Sequence, residues 1–138
     1  MNDHAKSSLQ LLGRLLLCVI FVMSGYNKLS APAATMAMMA REGAPIPEVA
    51  VVVAIVLELG GGLLLLFGLF CRWVAALLGV WCIATAVVAH SNFADINMLI
   101  HFWKNVAMAG GFAYVVAFGA GALSLDAMML RRRSTKTV

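Results

Sequence analysis

Charge is scarce in this sequence, and that scarcity decides the class of protein. Only 12% of the 138 residues are charged, whereas 63% are hydrophobic. Soluble domains carry about 25% charged and about 45–50% apolar residues. The composition therefore excludes an ordinary soluble domain and predicts an integral membrane protein.

Several motifs of known chemistry are also missing. The three cysteines, Cys18, Cys71 and Cys82, form no Cys-x-x-Cys pair, which argues against an enzyme that generates disulfides. No strand pattern appears, so no glycine-rich phosphate loop follows a strand. The net charge of +4 comes without a basic stripe interleaved with aromatic residues, and we expect no binding to nucleic acid.

Long apolar runs are what the sequence does contain. About 20 residues of helix cross the ~30 Å hydrocarbon core of a bilayer. Four runs predict spans at about residues 9–29, 48–70, 73–90 and 101–125. We therefore expect an all-α fold, an integral membrane four-helix transmembrane bundle at residues 9–125.

The segments between and beyond the spans complete this architecture. Prolines and a glycine punctuate the loop after the first span, and residues 33–42 within it predict a short interfacial helix. Residues 1–8 are expected to form an N-terminal tail and residues 126–138 a basic C-terminal tail.

The distribution of cations predicts the orientation of the bundle. The termini and the turn between spans two and three carry Lys6, Arg14, Arg72, Arg131, Arg132, Arg133 and Lys136, whereas the other two loops and their flanks carry Lys28, Arg41 and Lys104. Because cationic segments stay on the cytoplasmic side, we expect both termini in the cytoplasm.

The first span carries two cations on one helical face. Steps of four or three residues lead from Arg14 to Cys18, Phe21, Gly25 and Lys28, and this spacing places side chains on one side of a helix. Lipid disfavours a charged face, so it should point at other helices. Gly25 offers a place where another helix can approach closely.

Glu58 is a charge near the middle of the second span. A carboxylate at the centre of a spanning helix costs about 2.5–3.5 kcal/mol on insertion scales. We expect Arg14 to be its partner, because a guanidinium paired with a carboxylate keeps both charges inside a bundle. Such a pair either fixes the register of the helices or marks a carboxylate that handles protons or binds a ligand.

A second polar set is expected at the outer ends of spans one, three and four. It comprises Lys28, His90, His101, Lys104 and Asn105. Side chains of this kind hydrogen-bond the carbonyl oxygens of a quinone head group, and histidine titrates near neutral pH. The same residue types also anchor helix ends at membrane interfaces. No metal site is predicted, because the potential ligands lack the spacing of a metal motif.

Three motifs follow one another along the chain. They are Gly13-Arg14 with Ser24-Gly25-x-x-Lys28-Leu29, then Glu58-x-x-Gly61-Gly62 with Gly68, then Lys104-Asn105 before Gly110-Gly111. Their order and spacing resemble the DoxX family over about residues 9–123. The resemblance implies a small four-helix protein of the bacterial inner membrane, in a family named for its association with a quinone-linked oxidoreductase. It implies no agreed set of catalytic residues.

Two hypotheses on function result. The first is an accessory subunit of a membrane redox system, either quinone-linked or concerned with thiol stress, without independent catalytic activity and with quinone as the candidate cofactor. The second is a structural, assembly or chaperone-like factor, since the glycines of spans two and four suit helix association. The expected partners are the lipid bilayer and either a membrane redox protein or a second copy of the chain.

Overall fold

The computed structural model describes residues 2–134, and its regular structure is helical throughout that range. The helices are α1 (Asp3–Ser30), α2 (Pro32–Arg41), α3 (Pro47–Phe67), α4 (Cys71–Ala89), α5 (Ile96–Phe118) and α6 (Leu125–Ser134). The expected all-α membrane fold is confirmed, and so is a short helix directly after the first span.

Helices α1, α3 and α4 are long and apolar enough to cross a membrane. Helix α5 has 23 residues, which at 1.5 Å per residue is about 34 Å and long enough to span. Its first turns, however, carry His101, Lys104 and Asn105, and these polar residues lower its mean hydropathy. The fourth span therefore stays a prediction.

The helix ends differ from the expected boundaries at both termini. Helix α1 begins at Asp3, where the side chain of Asn2 accepts a hydrogen bond from the backbone N–H of Ala5 and so caps the helix. Helix α5 ends at Phe118, because Gly119 takes a positive φ of 76°. Much of the expected C-terminal tail is helix α6, and residues 135–138, with Lys136, lie outside the described residues.

The helices pack as two pairs that share one core. Helix α1 lies along α3, and α4 lies along α5. The pairs meet where the ring of Phe21 contacts the ring of Phe112 edge to face, with 5.3 Å between centroids. Large apolar side chains elsewhere point outward, and Trp73 is 80% exposed. An apolar outer surface on this scale fits contact with lipid.

Glycines set the antiparallel register of α1 and α3. A Cβ on Gly25 would overlap the backbone nitrogen of Leu59 and would lie 2.8 Å from its Cα. Further along, a Cβ on Gly62 would lie 3.2 Å from the Cβ of Phe21. The close approach expected at Gly25 is thus confirmed, and it places Leu59 level with Gly25.

Candidate functional site

The buried carboxylate of Glu58 has two side-chain partners. Its Oε2 lies 2.7 Å from Nζ of Lys28, which also donates to Oγ of Ser24 at 2.7 Å. Its Oε1 accepts a hydrogen bond of 3.2 Å from Nε1 of Trp81. Both carboxylate oxygens are therefore bonded, which offsets much of the free energy lost when a charge leaves water.

The expected ion pair between Arg14 and Glu58 is wrong. Because Leu59 lies level with Gly25, Glu58 faces the end of α1 that carries Lys28. Eleven residues separate Gly25 from Arg14, or about 16 Å along the helix, which is too far for the two side chains to meet. Both Arg14 and Glu58 are nevertheless buried, at 1% and 6% exposure.

Glu58 lies in an irregular turn of α3. Residues Val56–Gly60 form a π-helical turn between two α-helical segments. A π turn inside an α-helix is rare and occurs frequently at functional sites. The irregular backbone and the buried charge thus coincide, which makes this turn the centre of the candidate site.

Hydrogen bonds continue from Glu58 toward the beginning of α5. One turn after Trp81, Oγ1 of Thr85 lies 3.0 Å from the carbonyl oxygen of Trp81 and 3.2 Å from Oδ1 of Asn105. Its single proton bonds one acceptor at a time. Nδ2 of Asn105 in turn donates to the carbonyl oxygen of His101 at 3.0 Å. We call this set the polar ladder: Lys28, Glu58, Trp81, Thr85, Asn105 and His101.

Two histidines lie at the outer end of the polar ladder. The rings of His90 and His101 stack with 5.1 Å between centroids, and Nδ1 of His90 is buried without a hydrogen-bond partner. Burial lowers the pKa of His90, and the charge of His101 lowers it further, while Glu42 acts in the opposite direction. The lowered pKa favours the neutral imidazole of His90.

The structure divides the five residues expected to form one outer cluster. His90, His101 and Asn105 come together, whereas Lys28 is bound to Glu58 instead. Lys104 is exposed on α5 and acts on His90 only through its charge.

Sequence reasoning missed three side chains of the site: Ser24, Trp81 and Thr85. Each lies four residues from another member, Ser24 from Lys28 and Thr85 from Trp81. Side chains at this spacing share a helical face, so the face of Lys28 was a signal for Ser24, whereas no spacing in the sequence linked Trp81 and Thr85 of α4 to Glu58 of α3.

Arg14 is bound at the opposite end of α3. Its Nη2 donates to the carbonyl oxygen of Leu123 at 2.6 Å, and its Nη1 occupies the space beside Gly68, where a side chain would overlap it. Gly68 ends α3 with a φ of 68°. The guanidinium therefore lies at the C-terminal end of a helix, where the helix dipole favours a cation.

The adjoining turn is closed by Asp126 of α6. Its two carboxylate oxygens accept hydrogen bonds from the backbone N–H groups of Phe70 and Cys71, at 2.8 and 2.9 Å. A carboxylate at the first turn of α4 satisfies N–H groups that the helix leaves unpaired. Asp126 therefore has a structural role that fixes the C-terminal segment on the bundle.

The family of the chain follows from its sequence matches. The DoxX family model matches residues 9–91. The chain belongs to the DoxX family. The matched segment contains Lys28, Glu58 and Trp81 and ends just after His90, so the DoxX match includes the inner part of the polar ladder and not the residues on α5.

Two relatives are similar in sequence to this chain over most of its length and of their own. Inner membrane protein YphA of Escherichia coli (strain K12) is 35% identical over 128 residues, which cover 88% of this chain and 91% of that protein. Inner membrane protein YqjF of the same organism is 35% identical over 123 residues, covering 88% and 92%. No solved structure matches the chain.

Proposed function

We propose that this protein is an accessory subunit of a quinone-linked redox system in the bacterial inner membrane, with the quinone head group bound at the outer end of the polar ladder. The polar ladder is the observation that carries the proposal. The location is supported by two relatives that are inner membrane proteins and by three helices suited to spanning.

Burying polar side chains inside a membrane bundle costs free energy, and such side chains commonly mark ligand sites or proton pathways. Here they form a row from Glu58 to His101, in which the hydroxyl of Thr85 donates either to a backbone carbonyl of its own helix or to Oδ1 of Asn105. At its outer end, His101 and Lys104 are exposed, and the ring of His90 stacks on that of His101. These groups supply donors for quinone carbonyl oxygens, and the exposed ring of Trp103 on the same helix offers a surface for the apolar tail.

The cysteines favour a quinone-linked system over one concerned with thiol stress. Cys18, Cys71 and Cys82 are free and buried, with at most 2% exposure. A thiol that takes part in exchange must be accessible. We therefore assign no thiol chemistry to this chain.

Replacing His101 or Lys104 by alanine should weaken binding of a short-tailed ubiquinone to the purified protein by about tenfold, because a hydrogen bond to a charged group contributes about 1.5–3 kcal/mol. Fluorescence quenching of the tryptophans measures this. Asn97→Ala, which removes an exposed amide from the first turn of the same helix, is the matched control and should bind as the wild type does. Absence of quinone binding in the wild type, or equal binding by all four proteins, contradicts the proposal.

The orientation proposed for the bundle places both termini in the cytoplasm. Lys6, Arg14 and Arg72 lie at the end of the bundle that holds the termini, and the polar ladder opens at the other end. A phosphatase that is active only outside the cytoplasm should be inactive when fused after Ser134 and active when inserted at Ala94. A fluorescent protein that folds only in the cytoplasm should give the reverse pattern, and the opposite result for both reporters refutes this orientation.

A structural or assembly role is the second candidate function. An open groove of about 630 Å³ between α4 and α5 is lined largely by small residues, including Ala75, Gly79, Ala109 and Ala113. Small residues allow another spanning helix to approach closely. A partner that is lost on Gly79→Leu and kept on Glu58→Gln, in a protein that binds no quinone, favours this role over the redox one.

A further inference from the structure

The outer end of the polar ladder carries two histidines from different helices. His90 directly follows the last residue of α4, and His101 lies in the second turn of α5. Their rings stack with 5.1 Å between centroids and 28° between planes. The stack therefore joins the end of α4 to the beginning of α5 through the one side-chain type whose charge ordinarily changes near neutral pH.

Charges of opposite effect face His90 from two elements. His101 and Lys104 belong to α5 and disfavour a positive charge on His90, whereas Glu42, at the end of α2, favours one. Burial disfavours the charge most, so the pKa of His90 is lowered from its ordinary value of 6.5. These surroundings favour the uncharged ring as the form that stacks on His101.

Protonation of His90 reverses its preference between these two elements. Lys104, and any proton that His101 carries, repel an imidazolium ring at this separation. The carboxylate of Glu42 attracts the same ring and can accept a hydrogen bond from its N–H groups. Glu42 is exposed, and a Cβ on Gly43, which follows it with a φ of 86°, would have no neighbour within 4 Å. The segment after α2 therefore has room to move.

We propose that His90 is a pH-dependent switch that exchanges its partner, stacking on His101 when uncharged and pairing with Glu42 when protonated. The exchange moves the end of α4 away from α5 and toward the segment that follows α2. In the orientation proposed above, this end faces away from the cytoplasm, so the switch responds to the pH outside. The release of His101 at acid pH also alters the site proposed for the quinone, and that consequence, unlike the switch itself, rests on the proposed function.

Spin labels on two introduced cysteines measure the exchange of partners without any ligand. Ala40 on α2 and Ser91 after His90 are exposed, whereas the native cysteines are buried, so the labels attach at Ala40→Cys and Ser91→Cys. The distance between the labels, measured by electron paramagnetic resonance in micelles, should shorten as the pH is lowered from about 7.5 to about 5. The midpoint should lie below 6.5, because the surroundings of His90 oppose its protonation.

Three variants of the labelled protein identify the groups responsible. His90→Gln cannot carry the charge, so its distance should not change with pH. Glu42→Gln removes an exposed anion and should lower the midpoint by about half a pH unit, since an exposed charge is partly screened. Glu48→Gln removes an exposed carboxylate from the first turn of α3, and as the matched control it should follow the wild type.

A wild-type distance that does not change with pH, a transition that persists in His90→Gln, or an unchanged midpoint in Glu42→Gln overturns the proposal. The switch and the quinone site can fail separately. Quinone binding without the change of distance refutes the switch alone, whereas the change of distance in a protein that binds no quinone supports the switch and refutes the proposed function.

Discussion

Lys28→Met should lower the free energy of unfolding by about 3–5 kcal/mol, the loss found when one partner of a buried ion pair is removed. The Lys28 side chain is 17% exposed and that of Glu58 is 8% exposed, so water cannot take the place of the ammonium. The carboxylate would retain only the hydrogen bond from Trp81. Unfolding in mixed micelles, followed by tryptophan fluorescence, measures the loss.

A double-mutant cycle separates the interaction energy of the ion pair from the other effects of each substitution on stability. The double variant with Lys28→Met and Glu58→Gln should lose much less stability than the sum of the single variants, because the neutral amide no longer needs a cation. Arg41→Met removes an exposed cation from α2 and should change stability by less than about 0.5 kcal/mol. Additive losses would show that Lys28 and Glu58 do not interact.

The cycle also distinguishes a structural pair from a functional one. If Glu58 serves only to hold α3 against α1, the double variant regains both stability and quinone binding. If Glu58 is part of the polar ladder that serves the quinone site, stability returns while binding stays weak. The second result is the one expected from the polar ladder, in which Trp81 bonds Glu58 and Thr85, one helical turn further along α4, bonds Asn105.

The sequence was sufficient to predict the helices and the buried face of α1, since both depend on apolar length and on the 3.6-residue period. Arg14, Cys18, Phe21 and Gly25 are the buried residues of α1, as their spacing indicated. Periodicity could not select the partner of Glu58, because Arg14 and Lys28 lie on the same face. That choice depends on the axial register of two helices, which the close approach at Gly25 determines.

Two further features were outside the reach of helical periodicity. The π turn Val56–Gly60 interrupts the 3.6-residue period for only five residues, too few to alter a hydrophobic pattern. The end of α5 depends on the positive φ of Gly119, although Gly110 and Gly111 lie within the same helix. Which glycine ends a helix is decided by the contacts of the following segment, here Gln10 against Gly121 and Arg14 against Leu123.

The second large effect is expected from the addition of a single methyl group to α1. Gly25→Ala places a Cβ where the backbone of Leu59 already lies, with 2.8 Å to its Cα. Backbone atoms cannot rotate away as a side chain can, so α1 and α3 must separate or slide. We expect a loss of about 3 kcal/mol, the upper end of the range for an overfilled core, measured by unfolding in the same micelles.

The position of this glycine also connects packing to the candidate site. Separation of α1 from α3 at Gly25 would lengthen the 2.7 Å contact between Lys28 and Glu58, so Gly25→Ala should weaken quinone binding as well as stability. Gly13→Ala is the matched control on the same helix, because its Cβ meets nothing within 4 Å, and it should be neutral or slightly stabilising. Equal stabilities of the two alanine variants would show that α1 and α3 are not in contact at Gly25, and the register that assigns Lys28 to Glu58 would be wrong.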